Sequence, residues 1–206
     1  MRVAHPSPSG EQYDGKLLGD FFASDPTAAP WFPNPGGPSQ ICREAVADAH
    51  VDSSQPALSF GASPALWTAD AKQRLVSYLR FDLTGVRRPV LHAKLTLRNV
   101  EADDPGDPRT VYLVSEDDWD EAALTYASAP ELGALLGTIP EASRDGTRAL
   151  AVTSAVNEQE DSILTLAVTA PRGGLPSQFV SREGGAAPRL VLIERGEVEQ
   201  EVRLDQ

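Results

Sequence analysis

From Val46 to Arg195 the chain is a succession of short apolar alternations broken by clusters of Gly, Pro, Asp and Asn, and this spacing constrains the fold more than any other feature. Successive side chains of an extended chain point to opposite sides, so alternation of apolar and polar residues marks strands buried on one face. The candidate strands are "AVADAHV", "LVSYLRFDL", "VLHAKLTLRNV", "TVYLVS", "ALAVTSAV", "SILTLAVT", "SQFVSRE" and "PRLVLIE". With no convincing amphipathic helix between them, they predict an all-β fold, an antiparallel β-sandwich or barrel. One helical turn is expected around "APELGALLG", where Leu132, Leu135 and Leu136 share a face at helical spacing.

Residues 76–100 read as a hairpin whose connection is "TGVRRP". Leu79, Phe81 and Leu83 then point inward from one strand, and Leu91, Ala93, Leu95 and Leu97 from the other. Tyr78, Arg80 and Asp82 are left to share the opposite face with His92, Lys94, Thr96 and Arg98.

The two ends differ from this middle. Residues 1–45 hold 7 of the 17 prolines and 5 of the 16 glycines, a composition that breaks helices and strands alike and predicts an extended N-terminal arm. Its "KLLGDFF" and the pair Trp31, Phe32 need cover, either from the chain's own domain or from a protein partner. Residues 196–206 read as an acidic, solvated tail, leaving residues 46–195 as the domain. A chain of 206 residues suits one hydrophobic core.

With 30 acidic against 18 basic residues the net charge is −12, which disfavours nonspecific binding to nucleic acid or anionic membranes. No apolar run approaches a membrane span, and "MRVAHPSPSG" lacks the apolar stretch of a secretory signal. Cys42 is the one cysteine, so neither an internal disulfide nor a multi-cysteine zinc site can form. No nucleophile elbow, His-Glu-x-x-His, Walker loop or dinucleotide fingerprint occurs, and His5, His50 and His92 are scattered, so no enzyme is expected.

The ordered pieces "ADAHVDSSQPALSFGASPALW", "SYLRFDLTGV", "LHAKLTLRNV", "VYLVSEDDWDEAALTYASAPELG", "VTSAV" and "FVSREGGAAPRLVLIE" resemble the DNRLRE domain, classed as carbohydrate-binding module family 96. Where that family has Asp-Val-Thr, this chain has Ala151 in the acidic position, and Thr125, Tyr126 stand for its Thr-Trp. The resemblance implies a jelly-roll sandwich, a noncatalytic role beside polysaccharide-degrading enzymes or on bacterial surfaces, and for some members alginate as ligand. It also implies an extracellular or cell-surface location and a structural calcium near the first strand, with Asp48 and Asp52 as ligands. Carboxylate and carbonyl oxygens of "EADDPGD" are a second calcium candidate, since hard cations take oxygen ligands.

Charge is unevenly spread. Lys72, Arg74, Arg80, Arg87, Arg88, Lys94 and Arg98 stand against Asp82 alone between positions 72 and 98, whereas residues 101–121 hold nine acids and one base. Arginine forks match carboxylates and a tyrosine ring stacks on a sugar face. The expected ligand row is therefore Tyr78, Arg80, Lys94 and Arg98, with His92 and Arg182 as neighbours, for an acidic polysaccharide. The alternative expectation is a surface, coat or assembly subunit that uses the sandwich as a spacer and docks through its arm.

Overall fold

Burial follows the expected period of two. In the computed structural model, which describes residues 37–101, 106–143 and 145–196, Leu79 and Phe81 of β3 (Arg74–Asp82) are fully buried. Ala93, Leu95 and Leu97 of β4 (His92–Arg98) are buried as well, and Leu83 continues the β3 face. Leu91, just ahead of β4, is the exception at 45% exposure.

The remaining strands are β1 (Ser39–Asp52), β2 (Ala65–Asp70), β5 (Arg109–Val114), β6 (Leu135–Ile139), β7 (Thr147–Ala151), β8 (Ile163–Thr169), β9 (Ser177–Val180) and β10 (Arg189–Glu194). All pairings between them are antiparallel. Hydrogen-bonded neighbours run β6-β5-β8-β3-β1-β10-β4-β7, with β2 joined to β3 and β9. The path folds over at β1. Its first part, from Ser39 to Glu44, pairs with β10, and its last part, from Ala45 to Asp52, pairs with β3. The register shifts between Ala45 and Ala47, where an extra residue bends the strand and carries it from one sheet to the other. The result is an antiparallel β-sandwich of the jelly-roll kind.

One core fills the space between the sheets. Leu79, Phe81, Val111, Leu164, Leu166 and Val168 come from one side, and Ala93, Leu95, Leu97, Leu190 and Leu192 from the other. This arrangement overturns the expected hairpin: β3 pairs with β1, β2 and β8, while β4 pairs with β10 and β7. The two strands face each other across the core. Periodicity identifies the inward side chains but is silent on whether two apolar faces lie side by side or opposed.

The expected helical turn at "APELGALLG" is also corrected, because Leu135–Ile139 is strand β6 beside β5 and Leu135 is 63% exposed. Gly133 leads in with its backbone against Leu113, the amide donating to that carbonyl at 2.8 Å. The second half of "ALAVTSAV" is not strand but the short helix α1 (Thr153–Glu158), which buries Ala155 and Val156. Thr153 Oγ1 accepts the Ala93 amide at 3.0 Å and ties α1 to β4.

A second apolar cluster sits on the outer face of the β3 sheet. Ala47, Ala49, Val51, Val76, Tyr78 and Ala167 are covered there by Trp119 and Leu124, with Tyr126 and Leu132 packed alongside. Residues 115–132 thus form a cap with its own small core. Residues 39–45, read from the sequence as the end of the arm, are strand here; the rest of the arm and the tail from residue 197 lie outside the described residues. So does any docking by the arm. Among the described residues no helix is long and apolar enough to cross a membrane.

Candidate functional site

The two sheets divide the expected ligand row. Tyr78 and Arg80 belong to β3, and His92, Lys94 and Arg98 to β4 in the other sheet. Tyr78 is only 3% exposed; its hydroxyl donates to the Pro130 carbonyl at 2.9 Å, and burial pushes its pKa up to about 12. Arg80 Nη1 donates to the carbonyls of Asp117 and Trp119 at 3.0 and 2.7 Å, and its guanidinium lies 4.9 Å from the Trp119 ring centroid. Both residues fasten the 115–132 cap, and they do so because the face they share is covered, not wet. Trp119 is part of that cover.

On the other sheet the alternation holds. His92, Lys94, Thr96 and Arg98 project outward from β4, opposite the inward Ala93, Leu95 and Leu97. Lys94 is in register with Val191 and Ala151, and Thr96 with Arg189 and Ala149. Small side chains on β7 thus flank a row of cations. Burial, and then the charge of Lys94, hold the His92 pKa below its ordinary value. Arg189 is held by Glu44 across the sheet at 2.8 Å.

The acids converge elsewhere. Oxygens of Asp48, Glu121 and Glu183 lie within 4.8 Å of one another. β1 supplies Asp48 on its inward face, the cap supplies Glu121, and the turn after β9 supplies Glu183. Backbone bonds fix their approach: the Asp48 amide donates to Glu121 Oε1 at 2.6 Å, and the Arg182 amide to Asp48 Oδ2 at 3.0 Å. Arg182 Nη1 reaches both Glu121 oxygens at 2.9 Å. Gly61 packs so tightly on the Glu121 carbonyl that any Cβ would collide with it.

Asp48 is 1% exposed, and its Oδ1 has no hydrogen-bond partner. Burial raises its pKa from 3.8 to about 7; the charges of Glu183 and Glu121 push the same way, and the Arg182 amide opposes them. A buried carboxylate oxygen left without a donor, beside two further carboxylates, fits a hard divalent cation bound through oxygen. His50, next on the same face, is buried and stacked on Phe60 at 4.5 Å, and burial lowers its pKa to about 4.

Asp52, expected as the second metal ligand, is not in this cluster. Its oxygens accept from the Ser54 amide and hydroxyl and from Gln55, and these bonds outweigh burial to leave its pKa below the ordinary value. Such a turn is the common fate of an Asp at a strand end. Residues 102–105 of "EADDPGD" lie outside the described residues.

Carbohydrate-binding module family 96 matches residues 39–194, a span that opens with β1 and closes with β10. The chain belongs to this family. No curated protein matches it. The family is one of noncatalytic binding modules, and the acidic cluster is a site able to hold a metal within this module. Sequence reasoning found Asp48 and missed Glu121 and Glu183. They sit inside "SEDDWDE" and "FVSRE", within pieces that carry the resemblance, so the acids of those two pieces were the available signal.

Proposed function

We propose that this module binds an acidic polysaccharide of the alginate or pectate type, outside the cell or at its surface, and carries a calcium ion on Asp48, Glu121 and Glu183. The family match carries the polysaccharide reading. The charge of the ligand is argued from the outward row of β4, where Lys94 and Arg98 stand with Arg189 one strand away. A sheet face of this kind meets an extended chain along its length, and cations spaced along one strand suit a repeating carboxylate. Tyr78 and Arg80 act indirectly, by holding the cap.

Titrating alginate, pectate and neutral glycans into the full chain tests this. Binding should favour the acidic polymers and weaken with salt, and Lys94→Ala and Arg98→Ala should each raise Kd about three- to tenfold without moving Tm. Equal affinity for neutral glycans, or no binding to any, would refute the reading.

A further inference from the structure

Next to the acidic cluster the surface holds an open depression of about 350 Å³ lined by Glu44, Ala45, Arg182, Glu183, Gly185 and Ala187. It lies where β1 passes between the sheets and where the turn after β9 runs into β10. Two of its walls, Arg182 and Glu183, belong to the cluster as well. Its size sits at the lower end of small-molecule sites, roughly 300–1,000 Å³.

We infer that this depression is a sugar-acid subsite. One uronate carboxylate of the polysaccharide enters it, takes a coordination position on the cation held by Asp48, Glu121 and Glu183, and accepts hydrogen bonds from Arg182. The inference rests on the acidic-polysaccharide reading and adds a place and a recognition chemistry to it.

Three observations carry it. The first is coordination. Three protein carboxylates leave a calcium ion short of its six to eight oxygen ligands. Asp48 is buried and Glu183 exposed, so the incomplete side is the solvent side. The orphan Asp48 Oδ1 anchors the buried side.

The second is charge. Glu121 is paired with Arg182 and Glu44 with Arg189, which leaves Asp48 and Glu183 as the two charges that a divalent cation balances. Without the cation the site repels an anion. With it the site is neutral and a carboxylate can enter.

The third is Arg182 itself. Only its Nη1 bonds Glu121; among the described residues its Nε and Nη2 make no hydrogen bond, and its side chain is 34% exposed beside the depression. That edge of a guanidinium is the one that grips a carboxylate through two parallel bonds. The subsite also adjoins the β4 face, since Glu44 and Arg189 are in register with Thr96, so one chain can span both.

Terbium luminescence tests this. Tb³⁺ replaces calcium, and its lifetime in H₂O and D₂O counts the waters bound to it. Saturation with a galacturonate trisaccharide should remove about one or two of these waters, and a neutral trisaccharide should remove none. Arg182→Lys keeps the charge beside Glu121 but loses the fork, so the uronate Kd should rise about tenfold while Tb³⁺ affinity stays within about twofold. Calorimetric binding of the uronate with an unchanged water count overturns the subsite and leaves the polysaccharide reading standing. Absence of uronate binding overturns both, and absence of Tb³⁺ uptake overturns the subsite.

Discussion

Asp48→Asn should stabilise the cation-free protein and destabilise the calcium-loaded one relative to wild type, a reversal that only a buried, metal-seeking carboxylate produces. In the folded chain the Asp48 pKa stands at about 7 against an ordinary 3.8, with burial as the main cause. Between those values the folded state holds a proton that the unfolded state has released. Stability without the cation therefore falls as pH rises from about 4 to about 7, and the loss is complete above that. At about 1.4 kcal/mol per pH unit the interval is worth about 4 kcal/mol, or about 10 °C in Tm for a domain of this size.

Asparagine keeps the acceptor that Arg182 uses and offers its amide to the Glu121 and Glu183 carboxylates, so it escapes the cost of burying a charge. In chelator at pH 8 the variant should melt above wild type, and at pH 4 the two should coincide. In calcium at ten thousand times its Kd, wild type gains about 5.5 kcal/mol and the variant little, which exceeds the cost of about 4 kcal/mol for the buried Asp48 charge and reverses the order. The assay is thermal unfolding followed by circular dichroism at the two pH values, with chelator and with calcium. A variant that melts below wild type in chelator at pH 8 refutes the reasoning, because Asp48 would then be making net favourable contacts with no cation present.

Three further outcomes test the cap. Arg80→Ala removes two hydrogen bonds to carbonyls and a cation–π contact with Trp119, so it should cost about 2–3 kcal/mol in a denaturant titration and, because the loosened cap carries Glu121, weaken Tb³⁺ and uronate binding together. Tyr78→Phe loses the bond to Pro130, at the far end of the cap from Glu121, and should cost about 1 kcal/mol in the same titration with a smaller loss of binding than Arg80→Ala. In Gly61→Ala the new methyl group meets the Glu121 backbone, so the cap must shift: protease cleavage within residues 115–132 should speed up, and Tb³⁺ affinity should fall together with Tm.

What could be read from the chain and what could not divide along a physical line. Burial on one side of a strand is a local property, so Leu79, Phe81, Ala93, Leu95 and Leu97 were legible from alternation alone. Strand partnership is not local. β3 and β4 look like two arms of a hairpin because they are successive and oppositely faced, yet residues 83–91 carry the chain across the core to the second sheet. That one difference decides the fate of the ligand row. It leaves Lys94 and Arg98 outward and places Tyr78 and Arg80 under a cap that alternation could not foresee, since the cap residues 115–132 contain no regular strand.

The metal cluster shows the same limit from the other side. Asp48 and Asp52 are four apart on one strand and look equivalent in sequence. Asp52 stands at the strand end, where Ser54 and Gln55 can fold back to satisfy it, and Asp48 stands further in, where only segments distant in sequence can reach. A carboxylate that its own neighbours satisfy has little reason to hold a cation; one that burial isolates does. The unsatisfied oxygen of Asp48 therefore identifies the site better than the count of acids does. It also explains why Glu121 and Glu183, 73 and 135 residues further along the chain than Asp48, belong to the same site.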